Sequence, residues 1–352
     1  MLLRNFQRCH DDQRQDGERM PGSHAGEEGS AGRKAPLLQE DVPLGPMTTL
    51  GIGGPCRALV RVSDVDDLKA ALSAAQEHHL PVLFLGAGSN VLFDDRGYEG
   101  LVVRNEMRGV DIEDGEVEVA GGHDLGQLIR LLNRRGLGGL ERMYGIPGSV
   151  AGAVVGNAGA YGQEIGERIV EVEIFSQGRR RRVEARELNL SYRHSRFKER
   201  PQWFLLSCRL RLDKGRQGLQ GVSDEILAKR LEKYPPELRC PGSFFKNLPV
   251  ENLPRQVAAG LPEHYIHYGK VPAGILLEAV GAKGTRRGDA QVASYHGNLF
   301  LNAGRAASAD MLGLAGHWAS KVKERFDIEL EAEIRIVGPQ GPDNISAPAS
   351  GL

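Results

Sequence analysis

Pro81-Val-Leu-Phe-Leu-Gly-Ala-Gly-Ser-Asn90 carries five apolar residues straight into a loop of small ones. A short apolar run ending at glycine reads as a buried strand, and the loop after it decides the kind of turn. Two glycines stand where a dinucleotide fingerprint needs three, and Val91-Leu-Phe-Asp-Asp-Arg-Gly97 opens no helix, so a Rossmann motif is excluded. Two readings remain: a plain tight turn, or a nest in which consecutive backbone N–H groups converge on an anion. In a nest, Gly86, Gly88, Ser89 and Asn90 would form a phosphate cradle, the last two adding side-chain donors.

Outward from that loop the pattern is α/β. Residues 57–62, 101–104 and 117–120 read as strands. Residues 64–78 and 124–135 read as helices, the first with Val65, Leu68, Leu72 and Ala75 on one face, the second with Leu125, Leu128, Ile129 and Leu132. Residues 169–212 then change to strands: 170–175, a turn at Gln177-Gly178, 180–183 and 203–212. Arg179-Arg-Arg-Arg182 reads as a solvated hairpin tip and edge strand, because no aromatic residues interleave it as in a nucleic-acid patch. A Gly/Gln-rich linker at 214–221 is followed by a helix capped by Ser223 and stopped near Lys233 by Pro235-Pro236. A helix at 272–280, a strand at 293–302 and a helix at 308–326 come next, the last with Met311, Ala315, Trp318, Val322 and Phe326 in one stripe. The final strand, 328–337, alternates: Ile328, Leu330, Ala332, Ile334 and Ile336 face a core, while Glu329, Glu331, Glu333 and Arg335 share the other face.

The 352 residues are enough for two or three domains, and 40% hydrophobic with 26% charged residues is the balance of a soluble globular protein. A formal charge of −1 gives no electrostatic reason to expect nucleic acid or an anionic membrane as partner. Cys9, Cys56, Cys208 and Cys240 are scattered without a C-x-x-C pair or metal spacing, which favours reduced thiols in a cytosol and no metal. Cys240 is read as a bystander thiol, having no neighbouring histidine. No apolar run approaches the ~18 residues of a membrane span. Residues 1–36 hold six basic and six acidic side chains and five glycines, so a disordered extension through residue 38 is expected.

Two further segments carry chemistry. Gly145-Ile-Pro-Gly-Ser149 and Asn157-Ala-Gly-Ala-Tyr-Gly162 bracket nearly twenty mostly small residues, over which backbone can approach a flat, extended cofactor. Arg239-Cys-Pro-Gly-Ser-Phe-Phe-Lys-Asn247 places a hydroxyl, an ammonium and an amide beside two aromatic rings, the make-up of a water-poor pocket for a polar ligand. Its plainer reading is a turn entering a strand. Together the three segments describe a flavin enzyme with a second ligand pocket.

Residues ~40–338 resemble the bacterial UDP-N-acetylenolpyruvoylglucosamine reductases (UDP-N-acetylmuramate dehydrogenases) of peptidoglycan synthesis. Six motifs in order carry the resemblance: Thr48-Thr-Leu-Gly-Ile-Gly-Gly54, Leu85-Gly-Ala-Gly-Ser-Asn-Val-Leu92, Ile146-Pro-Gly-Ser-Val150 with Asn157-Ala-Gly-Ala-Tyr-Gly162, Tyr192-Arg-His-Ser-Arg-Phe-Lys198, Gly242-Ser-Phe-Phe-Lys-Asn247 and Leu330-Glu-Ala-Glu-Ile-Arg335. The short span from Lys198 to Gly242 is similar to the compact subgroup that lacks an extra tyrosine-bearing loop. The resemblance implies a mixed α+β and α/β chain. Its parts would be an FAD-binding domain of the vanillyl-alcohol-oxidase/cresol-methylhydroxylase type in two lobes, expected at 39–212, a substrate domain at 213–338 and a flexible tail at 339–352.

It also implies non-covalent FAD, NADPH as hydride donor and UDP-N-acetylglucosamine enolpyruvate as substrate, in a cytoplasmic monomer. Arg193 matches the arginine that holds the substrate carboxylate, Ser243 the serine that protonates C2, and Glu333 the glutamate beside that carboxylate. Without the resemblance, Arg193 would read as a surface ion-pair partner and Glu333 with Arg335 as a solvated strand face. FAD contacts are implied at Gly86, Gly88, Ser89, Asn90, Ile146, Pro147, Gly148, Ser149, Asn157, Gly159 and Arg335. Substrate contacts are implied at Tyr192, Lys233 and Asn247. Ala151 stands where a second glycine is commoner, Leu248 where proline is usual, and Asn298-Leu299 in place of a Gly-Phe pair after His296. Two rivals stay open: a flavin oxidase of the same superfamily, which would consume oxygen, and a non-enzymatic nucleotide-binding module, which would carry no flavin.

Overall fold

The structure, a computed structural model, describes residues 37–267 and 269–342. The tail expected at 1–38 lies outside these up to residue 36, while Leu38 is buried in the first core. That core surrounds a sheet ordered Gln39–Pro43, Pro55–Val62, Tyr98–Asn105, Val82–Leu85, parallel except at its first strand. Helix Val65–Glu77 covers it with Leu68, Ala71 and Ala75, and Asp64 caps the helix by accepting from the Asp67 N–H. Strand Val82–Leu85 buries alternate residues, Leu83 and Leu85, and is therefore half-buried where a fully buried strand was expected; Phe84 instead packs edge-on against Phe204 at 4.9 Å.

The second lobe is an antiparallel sheet ordered Arg179–Glu184, Ile169–Ser176, Phe204–Arg211, Glu116–Ala120, Val110–Glu113. The arginine run lies on its edge strand, where Arg180 and Arg182 pair with Glu173 and Glu171 across the ladder. Helix Leu125–Arg134 buries the four expected residues against this sheet. The long small-residue loop contains a short helix, Val150–Val155, which Ser149 caps through the Gly152 N–H.

Four boundaries differ from expectation. Helix Leu219–Lys233 begins four residues before Ser223, so Ser223 is no cap. Its buried hydroxyl instead donates to the Glu141 carbonyl and accepts from Asn133, and the helix packs on the second lobe rather than on the substrate domain. Of residues 293–302, only Phe300–Asn302 are strand, because a turn at residues 294–299 reverses the chain after Ala290–Val292. The alternating segment 328–337 keeps its inside–outside pattern, but only Arg335–Gly338 forms a ladder, parallel to Val91–Phe93 of the first lobe. Gly341–Pro342, expected in a flexible tail, pairs back on that strand.

The C-terminal unit packs helices Ala273–Ala279 and Ser308–Phe326 on a three-stranded sheet, and its core takes in Leu50, Ile52 and Leu92 of the first lobe. Helix Ser308–Phe326 has no cap of its own. The Asp95 carboxylate supplies one, accepting from the Ser308 N–H at 2.6 Å and hydroxyl at 2.8 Å. Asp95→Ala should cost about 1 kcal/mol, the usual worth of an N-cap, measured as a lower urea midpoint at unchanged slope. No loss would show that solvent caps the helix equally well.

Candidate functional site

Both glycine loops meet at one cleft. Gly88 has φ +71, and a Cβ there would come within 2.0 Å of the Met47 carbonyl oxygen; a Cβ on Gly86 would sit 2.6 Å from Ser149 Oγ. Only glycine lets the loops close this far. Ser89 Oγ then donates to the Pro147 carbonyl at 3.0 Å, stitching one loop to the other. The N–H groups of Ala87, Gly88, Ser89 and Asn90 donate to nothing among the described residues, so all four could converge on an anion. Gly86, Ala87, Gly122, Gly148 and Ser149 line the gap between the loops. Beside it His123 keeps a buried Nδ1 without a partner among the described residues, and burial lowers its pKa.

Several implied contacts are engaged within the protein. Ser149 Oγ is the helix cap described above. Asn157, 2% exposed with φ +41, uses its whole carboxamide: Oδ1 accepts from the Gly166 N–H, and Nδ2 donates to Glu164 and to the Ser191 carbonyl. Its side chain therefore anchors the segment leading to Arg193, with one acceptor site on Oδ1 outside these bonds. Asn90 Nδ2 donates to the Glu333 carbonyl at 3.1 Å. Ile146 packs against the second-lobe core, the Pro147 carbonyl accepts from Ser89, and Gly148 lines the cleft. Gly159 presents its carbonyl to Arg193. Arg335 donates its backbone N–H to Asn90, and its side chain stands in solvent, although surrounding protein desolvates it enough to lower its pKa.

Arg193 gathers the rest. Its Nε donates to Glu333 at 2.6 Å, Nη2 to the Gly159 carbonyl at 3.1 Å and Nη1 to the Asn157 carbonyl at 3.5 Å, all partly buried. A guanidinium has five N–H groups, so one on each Nη remains for a ligand. Arg193 itself has φ +54, a left-handed conformation disfavoured for a residue with a Cβ. Lys198 Nζ donates to its carbonyl at 2.7 Å. Crowding by protein atoms pulls Lys198 down to about 8, helped by the like charge of Lys246 and opposed by Glu333 and Glu331. Solvent still reaches the ammonium and tempers that displacement.

Ser243 lies half-buried beside Phe244, its hydroxyl without a hydrogen-bond partner among the described residues. The Glu333 N–H donates to the Phe244 carbonyl at 2.8 Å, the Lys246 N–H to the Glu331 carbonyl at 2.9 Å, and Lys246 pairs with Glu331. The two phenylalanine rings were expected to wall the pocket. They are instead fully buried in the C-terminal core with Phe300, and pocket exclusion of water falls to other groups. Asn247 accepts from the Ala273 N–H and donates its own N–H to Tyr192 Oη. The Tyr192 ring carries Lys270 over its face at 3.7 Å and Arg193 at 5.3 Å. Lys233, at the end of its helix, has no carboxylate within ion-pair distance among the described residues, and its charge reaches Cys240 and His296. Cys240 is buried and its thiol pushed up by that burial, as suits a bystander.

Lys198 and Lys246 were visible in quoted motifs but unassigned; Lys270 and His123 carried no signal a single sequence could reveal. Among the described residues no acidic, histidine or cysteine cluster is arranged for a metal, and no helix is long and apolar enough to cross a membrane.

Comparison with known proteins agrees with this layout. A family model described as an FAD binding domain matches residues 56–181, and one described as the C-terminal domain of UDP-N-acetylenolpyruvoylglucosamine reductase matches residues 234–337. The chain is 41% identical over 302 residues to the UDP-N-acetylenolpyruvoylglucosamine reductase of Solibacter usitatus, covering 86% of this chain and 97% of that one. Against the protein of that name from Rubrobacter xylanophilus it is 36% identical over 314 residues, covering 88% and 99%. The crystal structure of the Thermus caldophilus reductase superposes with a TM-score of 0.65 at 30% identity, over 86% of this chain and 98% of that chain.

Proposed function

The chain belongs to the UDP-N-acetylenolpyruvoylglucosamine reductases, and on that premise we propose how its own residues carry the reaction. The substrate is UDP-N-acetylglucosamine enolpyruvate, the product UDP-N-acetylmuramate for peptidoglycan, and NADPH the hydride source. FAD, when bound, would supply the hydride chemistry that links NADPH to the enolpyruvyl double bond. The nest of residues 87–90 would hold the FAD phosphates, with the cofactor lying along the cleft that Ala87, Gly122 and Gly148 line.

Hydride arrival at C3 places negative charge on C2 and the adjacent carboxylate, so the site needs a fixed cation and a proton donor. Arg193 meets the carboxylate with its two remaining N–H groups, while Glu333 holds its Nε edge in plane. Ser243 Oγ gives its proton to C2. Tyr192, Asn247 and Lys233 contact the substrate, Lys233 through the diphosphate.

One observation supports this most: Arg193 ties Glu333, 140 residues away, to the Asn157–Gly159 loop, while the Glu333 backbone is held by Asn90 of the nest. The Arg193–Glu333 pair is thus hydrogen-bonded to both glycine loops, which supports a shared site. We take the enzyme to be a cytoplasmic monomer; a nucleic-acid partner is not expected, since Glu173 and Glu171 neutralise Arg180 and Arg182 of the arginine run.

The purified protein should be yellow, release FAD on denaturation, and oxidise NADPH only with the enolpyruvyl sugar present. No histidine or cysteine lies in either glycine loop to bind flavin covalently. A colourless protein that cannot be reconstituted with FAD would sink the reading, and steady oxygen consumption without the sugar would favour an oxidase.

A further inference from the structure

Asn298 is 1% exposed, so its amide cannot be serving solvent. Its Oδ1 accepts from the Phe245 N–H at 2.8 Å and its Nδ2 donates to the Phe245 carbonyl at 2.8 Å. Its own carbonyl accepts from the Phe244 N–H at 3.1 Å. The side chain acts as one residue of a neighbouring strand would, on a stretch that has no strand on that side. The opposite edge is held by residues 331–333, through the Glu333 N–H to the Phe244 carbonyl and the Lys246 N–H to the Glu331 carbonyl. Every backbone polar group from the Phe244 N–H to the Lys246 N–H is therefore paired. Packing adds a third restraint, with Phe244 and Phe245 centred 4.7 and 5.8 Å from Phe300.

The Asn298 arm is itself fixed. Its N–H donates to His296 Nδ1 at 3.1 Å, which leaves the ring proton on Nε2, and burial holds that histidine neutral, down to about 4. We propose that Asn298 is a positioning residue for the reaction, holding Ser243 in register with Glu333 by clamping Phe245 between itself and the last strand. The proposal rests on Ser243 as the proton donor. Displacing a reacting group by ~1 Å can cost ~10²-fold, whereas flavin reduction by NADPH needs nothing from Ser243.

Asn298→Asp keeps the acceptor for the Phe245 N–H and loses the donor to its carbonyl, so the clamp opens on one side. In the FAD-loaded enzyme, stopped-flow reoxidation by the enolpyruvyl substrate should slow about 10–100-fold, while flavin reduction by NADPH stays within about 2-fold. Substrate affinity, read from perturbation of the flavin spectrum, should change less than about 3-fold, since the clamp contacts no ligand. In a Ser243→Ala background the same change should add less than about 3-fold, because residues acting as a unit are non-additive. Equal slowing of both half-reactions, a loss confined to affinity, full additivity with Ser243→Ala, or failure of Asn298→Asp to fold with FAD would each overturn the proposal. Should Ser243→Ala itself leave reoxidation intact, the assignment of the proton donor falls instead, and the two failures are told apart.

Discussion

Ser243→Ala should slow flavin reoxidation by the enolpyruvyl sugar by ~10²–10⁴-fold, the usual cost of a positioned proton donor, and leave reduction by NADPH within a few-fold of the parent. The structure makes this separation sharp. The Ser243 hydroxyl has no partner among the described residues, so its removal breaks no structural hydrogen bond. Its neighbours Phe244 and Phe245 are held by backbone pairing and ring packing that alanine at 243 does not touch. The variant should therefore melt as the parent does and retain FAD. Stopped-flow absorbance in the flavin band resolves the two steps. Slowing of both steps alike would make the serine structural and remove it from the chemistry.

The readable parts of the sequence were those where chemistry is local. Helices at 64–78 and 124–135 announce themselves by an acidic cap and a 3.6-residue period, and both begin where Asp64 and Asp124 accept from the N–H three residues on. The tight approach of residues 86–90 was legible because small residues directly after an apolar strand let backbone close in on a neighbour. Where tertiary contacts outweigh local preference, the reading missed. Ser223 has the right chemistry for a cap, yet Glu141 and Asn133 claim its hydroxyl from another element. Asn157 sits among glycines as a cofactor contact would, and the structure gives its carboxamide a second task that sequence could not show, bonding Glu164, Gly166 and Ser191. Asn298 looked like a departure from pattern, and only the backbone of Phe245 opposite it gives the residue its purpose. The Arg193–Glu333 pair spans 140 positions and could be reached only through the family resemblance.

Arg193→Ala is the other change expected to be large, and it should differ in kind from Ser243→Ala. In the role proposed for it, the guanidinium would meet the substrate carboxylate before hydride transfer and the developing enolate after it, so both affinity and reoxidation should fall. A charge-assisted contact is worth ~1.5–3 kcal/mol, which predicts roughly 10–100-fold weaker substrate binding. Loss of a preorganised charge stabiliser should slow reoxidation by a further ~10²–10³-fold. Glu333 would be left partly buried without its cation, adding like charge beside the substrate carboxylate. Arg193→Lys should recover little, because one ammonium cannot reach Glu333, the Gly159 carbonyl and the ligand together as the planar fork does. Arg193→Ala/Glu333→Gln should bind substrate better than Arg193→Ala alone, since the second change removes the stranded charge. Titration of each oxidised variant with substrate, followed in the flavin band, measures this order. If the double variant bound no better than the single one, Glu333 would not share the carboxylate site, and its pairing with Arg193 would serve only to join the two loops.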